Sequence, residues 1–455
     1  MVLPLREYQV ADLAFMIGNE RAGLLHDPGG GKTPPVCVLL YYLWSEGKEK
    51  SIWVMPKQLM RKNKQELLRF THFEDRDVAI VDGPKSRDAL KSDAKVFIMG
   101  PARFSIIWQE LISAQPAIRA LAADEVHMYW ATHDRAGTSS LYAAMKHLRR
   151  FIPMTGTLIK GRLSSAYPTF HAIEPRYYPS FQAFMNYHAV KNLDNQVVAW
   201  KNVERIIDIV GRHFIKRSFE SIYGAENKVI QTELCPMGPK QREAYDEFEE
   251  RAILELENEF LTGSNGVFAL RCRQIMSHPE TWGIADGQKT GKDEILEVHL
   301  ADHAQSNEPV VLYAWFKPEQ ERIAGIVRKM GMSCAILNGD TPVAKRAQID
   351  QDFCAGRLQV IVGSPQVATV GYNWQDIAGN ELKHMIFVSI GYEDDVLIQA
   401  MRRGIRGVRK TPLRVTVLEY EKSIDQRMMS IIRQKSILAN KIDPSREILE
   451  LSVNQ

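Results

Sequence analysis

Little in the sequence ties the chain to a membrane or to an oxidising compartment. Its five cysteines (Cys37, Cys235, Cys272, Cys334 and Cys354) are far apart and form no C-x-x-C pair. That spacing gives neither a zinc cluster nor a disulfide framework and fits a reducing compartment. No apolar run reaches the roughly 18 residues that a membrane span needs. The opening residues Met1-Val2-Leu3-Pro4-Leu5-Arg6 lack the apolar core of a signal peptide. A formal charge of +3 over 455 residues sets up no general field for a polyanion, so local basic patches must carry any such contact. There is no low-complexity segment, no short-period repeat, and nothing like a zinc finger or recognition helix that would read base sequence.

What is present is an ordinary soluble composition, 45% apolar and 25% charged, in a chain long enough for two or three domains. Ser51–Met55, Val78–Val81, Val96–Met99, Ile118–Ala123 and Phe151–Met154 read as buried strands. Gln58–Phe70 and Leu141–Arg150 read as helices with one charged face. This alternation predicts an α/β fold, a parallel sheet with helices on both faces. The strand signal fades from about 158 to 228, which reads as a helical excursion. Asp246–Leu261 reads as a long amphipathic helix. Strand candidates return at Pro309–Ala314, Ser333–Leu337, Gln359–Val362, His384–Ser389 and Leu413–Glu419. The expected organisation is a first α/β lobe over 1–228 and a second over 229–455, with a helical insertion at about 236–290.

Three segments carry chemistry. The first is His26-Asp27-Pro28-Gly29-Gly30-Gly31-Lys32-Thr33. Gly29, Gly30 and Gly31 let the backbone wrap phosphates with its N–H groups. Lys32 would neutralise the β/γ-phosphates and Thr33 would hold Mg²⁺. The strict P-loop has glycine where His26 stands. Pro34 and Pro35 are tolerated in a first helical turn, yet they remove two phosphate donors. The second is Asp124-Glu125 at the end of a small apolar strand, where α/β sheets bind ligands. Asp124 would join the Mg²⁺ shell and Glu125 would deprotonate the attacking water. The third is Gln399-Ala400-Met401-Arg402-Arg403-Gly404-Ile405-Arg406. A helix would put Arg403 and Arg406 on one face, facing the charge that builds on a γ-phosphate; otherwise the segment is a solvated basic face.

In this order and spacing the three segments resemble the superfamily 2 helicases, and finer features resemble their Swi/Snf-type branch. Leu5-Arg6-x-Tyr8-Gln9 resembles the branch's opening motif, which implies that Gln9, with Arg6, contacts adenine. Val54-Met55-Pro56 resembles motif Ia, with the usual tryptophan replaced near Asn63. Thr155-Gly156-Thr157 resembles motif III, with Leu158 for proline. Leu234–Tyr245 and Leu270–Pro279 are similar to segments peculiar to the branch. Gly339-Asp340-Thr341 with Arg346 resembles motif IVa, Gly371-Tyr372-Asn373-Trp374 motif V, and Gln399–Arg406 motif VI. The resemblance, from Leu5 to about Asp425, implies two lobes like RecA, ATP and Mg²⁺ as cofactors, and Arg403 and Arg406 reaching the nucleotide from the second lobe. Its departures suggest a divergent viral or bacterial member, with a cytoplasmic location expected.

Lys57, Arg61 and Lys64 are spaced by four and three, one helical face that would lie along a phosphate backbone. Arg103, after the Val96 strand, is a second candidate contact. Trp374 is a candidate to stack on a base or a core tryptophan. The reading these features favour is an ATP-dependent motor on duplex or branched DNA, monomeric, with targeting left to partners and RNA as a second candidate polymer. The alternatives are a strand-separating helicase, a nucleotide-gated scaffold, and a P-loop kinase. A strand separator needs a wedge, and no Asn-Gly or Asp-Gly hairpin is evident in the second lobe.

Overall fold

In the computed structural model, residues 2–442 are described, apart from 160–161, 194, 196, 263–265, 285–288 and 369–370. The chain divides into two compact units, with the boundary between Ile222 and Tyr223. Each is built on one parallel sheet, so the α/β expectation holds.

The first unit contains β1 (Gly23–His26), β2 (Lys50–Val54), β3 (Val78–Ile80), β4 (Val96–Met99), β5 (Ile118–Asp124), β6 (Arg150–Thr155), the hairpin strands β7 (Ala189–Lys191) and β8 (Val197–Trp200), and β9 (Phe214–Arg217). Seven of them form a sheet in the order β3-β4-β2-β5-β6-β1-β9. Its strands are short apolar runs because both faces are covered by helices; Ile52, Trp53, Ile98, Leu121 and Ala122 are fully buried. Two expectations need correction. The helix proposed at Leu141–Arg150 is Ala136–Ala144, and Arg150 opens β6. Arg150 looked like part of a charged helix face, but its guanidinium is buried and donates to the carbonyls of Met16 and Ile17. The stretch 158–228 is also less purely helical than expected, because it holds the β7–β8 hairpin and β9, which closes the sheet against β1.

The second unit contains β10 (Lys228–Cys235), β11 (Val310–Tyr313), β12 (Cys334–Leu337), β13 (Val360–Gly363), β14 (Asp376–Ile377), β15 (Asn380–Glu381), β16 (His384–Phe387) and β17 (Leu413–Tyr420). Six form a parallel sheet ordered β10-β17-β16-β11-β13-β12, and β14–β15 is a tight antiparallel hairpin. All five strands expected in this half are present. The two branch-specific segments meet here, since the Gln241 amide donates to the carbonyls of Ile275 and Met276. Among the described residues no helix is long and apolar enough to cross a membrane, and all five cysteines are free.

Candidate nucleotide site

Three neighbouring strands of the first sheet, β5, β6 and β1, end side by side, and each delivers one motif from its C-terminal end. Such ends are where open α/β sheets hold ligands. From β1 the chain enters the glycine loop. Gly29 and Gly31 take positive φ, +89° and +67°, a region that costs a residue with a Cβ about 1 kcal/mol or more. A Cβ on Gly31 would also lie 2.7 Å from the Gln9 amide nitrogen. Lys32 caps the helix Thr33–Gly47, with Pro34 and Pro35 in its first turn. Thr33 is thus the first helical residue, beside the positive helix end. The Lys32 ammonium, buried, donates to the His26 carbonyl at 2.9 Å.

The opening motif supports this loop from one side. The Gln9 amide accepts from Arg6 N–H (2.9 Å) and donates to the Gly31 carbonyl (3.0 Å); Tyr8 donates to the Gly30 carbonyl at 3.4 Å. Gln9 is buried, whereas Arg6 caps its helix as an exposed residue. From beneath, His26 does what a P-loop glycine could not. Its Nδ1 lies 3.2 Å from the Gly30 carbonyl and its Nε2 lies 3.5 Å from Asp12, which in turn accepts from Arg217 on β9 at 2.9 Å. Burial, with the Lys32 charge second, pushes the His26 imidazole down to about 3, so it is neutral there. In the sequence His26 is only a departure from the P-loop; Gly30 and Lys32 lie within six residues of it, but the Asp12–Arg217 pair that it faces spans 205 residues.

Asp124 ends β5 and is buried. Desolvation first, then the adjacent Glu125 carboxylate, lifts its carboxyl to about 7, with Lys32 and an Asn63 hydrogen bond pulling it back. Such a carboxylate favours a nearby cation. Glu125 is a non-glycine residue in the left-handed region, φ 51° and ψ 49°. Backbone outliers of this kind cost of the order of 1–3 kcal/mol and concentrate at functional sites. The conformation is held by Met128 N–H on the Glu125 carbonyl (2.9 Å) and by Tyr129 O–H on the Asp124 carbonyl (2.5 Å). One Glu125 carboxylate oxygen is buried without a hydrogen bond, 3.5 Å from His127 Nδ1.

From β6 comes Thr155-Gly156-Thr157. Thr155 O–H donates to the Thr157 carbonyl at 2.8 Å and its oxygen accepts from Thr157 N–H at 2.9 Å. With its one proton committed, Thr155 is the acceptor for His127 Nδ1 at 2.7 Å, so that nitrogen carries the hydrogen. A Cβ on Gly156 would sit 3.1 Å from the His26 carbonyl and 3.0 Å from Pro28, so this glycine allows motif III to close on the glycine loop. The donor set suits a magnesium nucleotide: backbone N–H groups, one ammonium, one hydroxyl and one cation-seeking carboxylate, with no cluster of three or more His, Cys, Asp or Glu among the described residues. Mg²⁺ on phosphates needs only one or two carboxylates.

In the second unit the helix Asp394–Met401 stops before the arginines, at the cap residue Arg402. Arg403 and Arg406 are therefore not on one helical face. Loop geometry nonetheless brings them together, because both guanidinia donate to the Tyr372 carbonyl, at 3.3 and 2.5 Å. Gln399, buried, gives its carbonyl to Arg403 Nε at 3.0 Å. A solvated basic face is also corrected: Arg402, Arg403 and Arg409 are 2%, 4% and 6% exposed, with Arg402 paired to Glu226 and Arg409 donating to the Leu382 carbonyl.

The track candidates are more constrained than their spacing suggested. Lys57 lies on the turn Lys57–Leu59 ahead of the helix Met60–Phe70 that carries Arg61 and Lys64. Lys57 pairs with Asp82 (2.7 Å) and Lys64 with Asp75 (2.8 Å), while Arg61 is exposed. Arg103 donates to the Gly83 carbonyl at 3.2 Å, which brings Lys57 and Arg103 to one turn. Trp374 is fully buried, stacks on Tyr372, and donates its indole N–H to Asp350 at 2.8 Å. It is a core tryptophan and not a stacking platform for bases.

Two family models follow one another along the chain, over residues 8–281 and 291–407. No curated protein matches the chain. Among the solved structures to which it is similar is the Sulfolobus solfataricus SWI2/SNF2 ATPase core in complex with dsDNA, at 18% identity and a TM-score of 0.43, over 99% of this chain and 98% of that one. A model of the helicase conserved C-terminal domain matches residues 291–407, and a model of the SNF2-related domain matches residues 8–281, more than half the chain. The chain therefore belongs to the SNF2-related, Swi/Snf-type branch of the superfamily 2 helicases.

Proposed function

We propose that the chain is a DNA-stimulated ATPase that turns hydrolysis into movement along duplex or branched DNA. The observation that carries the chemistry is the delivery of Lys32, Asp124–Glu125 and Thr155 from three adjacent strand ends of one sheet. Family membership supports the direction of the reading. Lys32 and the glycine-loop N–H groups hold the phosphates, and Gln9 and Arg6 flank the base. Thr33 and Asp124 hold Mg²⁺, which when bound supplies charge neutralisation at the phosphates. Glu125 takes a proton from the attacking water as its oxygen bonds to the γ-phosphorus, and the bond from that phosphorus to the bridging oxygen breaks so that ADP leaves. Arg403 and Arg406 meet the negative charge that develops, with Gln399 holding Arg403. Lys57, Arg61, Lys64 and Arg103 follow the DNA backbone.

One observation favours a second reading, strand separation. The β7–β8 hairpin in the first unit displays Leu193 fully to solvent, and apolar side chains of this kind can wedge between base steps. A two-substrate assay separates the readings. ATP-dependent displacement of a triplex-forming strand without unwinding of a labelled fork supports the translocase. Fork unwinding that disappears in Leu193→Ala, with no duplex-stimulated ATPase, would replace it with the helicase. ATPase rates on single-stranded DNA, duplex, fork and RNA rank the polymers.

A further inference from the structure

The segment just after motif V has a feature that the proposed mechanism does not use. The side chain of Gln375 is clasped onto the arginine loop at both ends of its amide. Its oxygen accepts the backbone N–H groups of Arg406 (2.6 Å) and Gly407 (2.9 Å), and its nitrogen donates to the Val408 carbonyl at 3.0 Å. Its neighbours add to the same grip: Trp374 N–H donates to the Arg403 carbonyl at 2.7 Å, and the Tyr372 carbonyl receives both guanidinia. Gln375 is itself fixed, because its carbonyl accepts Leu382 N–H at 2.9 Å and closes the β14–β15 hairpin. That hairpin turns through Ala378 and Gly379, both at positive φ, as a two-residue turn of the tightest kind requires. Beyond Gly404 and Gly407 the loop has no helix to set the direction of Arg406. Three hydrogen bonds from one side chain replace it.

We infer that Gln375 is a positioning residue for Arg406: it fixes the backbone from which the guanidinium projects and so sets the cation's aim. The inference rests on the proposed role of Arg406 in phosphoryl transfer. A finger that is displaced by about 1 Å costs roughly 10²-fold in rate while leaving nucleotide binding nearly intact.

The test is a double-mutant cycle on DNA-stimulated ATPase. Gln375→Ala should lower kcat by about 10²-fold with little change in the KM for ATP, and Gln375→Glu, which keeps both acceptor contacts, should recover part of the loss. In an Arg406→Ala background Gln375→Ala should cost nothing further. A merely structural role would raise KM along with lowering kcat and would add to the loss in the Arg406→Ala background; either result overturns the inference. So would full activity of Gln375→Ala alongside an impaired Arg406→Ala. If Arg406→Ala itself turns over normally, the finger reading fails first, and the inference with it.

Discussion

His127 donates its Nδ1 hydrogen to the Thr155 hydroxyl across 2.7 Å, and the same nitrogen lies 3.5 Å from the Glu125 carboxylate. His127, two positions after Glu125, is thus joined to motif III, with Thr155 spending both its acceptor capacity and its proton. Thr155→Val keeps the shape and deletes the hydroxyl. It leaves the His127 and Thr157 N–H groups without their partner, at about 1–3 kcal/mol for each buried donor. The expected outcome is a lower unfolding temperature together with reduced turnover, checked by calorimetry and steady-state ATPase. Wild-type values for both would remove Thr155 from the site.

The chemistry can be divided between two substitutions. Glu125→Gln should bind ATP and hydrolyse almost none, because an amide cannot accept the water's proton. Lys32→Ala should weaken binding itself, because the charge at the phosphates is gone. Fluorescent-nucleotide titration and single-turnover hydrolysis distinguish the two; near-normal turnover in Glu125→Gln would show that the base is another group.

For the arginines, Arg403→Ala and Arg406→Ala should each reduce kcat by roughly 10³-fold or more, with smaller effects on nucleotide affinity. Arg403 is buried, so its replacement also removes a loop contact and should lower thermal stability more than Arg406→Ala does. Two variants with normal kcat would return the segment to a purely structural role.

On the track, two of the basic side chains already have carboxylate partners. The Lys57 hydrogen bond, with Arg103 nearby, holds the Asp82 carboxyl below its usual range. Asp82→Asn should therefore tighten DNA binding and steepen its salt dependence, whereas Lys57→Ala should do the opposite by roughly one unit in the slope of log affinity against log salt. Fluorescence anisotropy at a series of salt concentrations measures both. An unchanged slope in both variants would place the turn away from DNA.

The pH dependence of stability has a definite sign at His26. Its ordinary value is 6.5 and burial takes it to about 3. Between these values the unfolded chain binds a proton that the folded chain does not. The stability is complete above pH 6.5 and is lost as pH falls toward 3, by about 2 kcal/mol at pH 5. Asp12, raised by burial, acts in the opposite sense from pH 3.8 upward and blunts the effect. Chemical unfolding at pH 5 and 7.5 should show the drop, and His26→Gln, which can still donate to Gly30, should flatten it. Equal pH sensitivity in the variant would assign the effect elsewhere.

Much of this was legible in the sequence, for identifiable reasons. Strands such as Val96–Met99 and Val310–Tyr313 are runs of apolar residues buried on both faces, and that pattern needs no tertiary context. The carboxylate pair and the glycine loop announce their chemistry by residue type and spacing. Strand β1, Gly23-Leu24-Leu25-His26, does not stand out, because its glycine and histidine leave only two large apolar residues in a row and its place is set by its partners β6 and β9. The meeting of Arg403 and Arg406 was expected, but by the wrong means: Gly404 and Gly407 favour a loop over a helix, and the shared Tyr372 carbonyl comes from a separate segment. The His26–Asp12–Arg217 chain spans 205 residues between Arg217 and Asp12, and no local pattern signals it. Trp374 could be a base-stacking or a core residue by sequence alone, and its full burial decides for the core.

The place of β1 between β6 and β9 has a consequence for biosynthesis. The strand that launches the glycine loop, Gly23–His26, is made before both of its neighbours, Arg150–Thr155 and Phe214–Arg217. A growing polypeptide must leave the ribosome for well over a hundred residues before β1 has even one partner. Until then its bare edge is open to pairing with other chains. Pairings so distant along the chain are slow to form. Nascent chains halted before residue 214 should therefore be unable to retain nucleotide however complete their P-loop, and should be the species on which holding chaperones act.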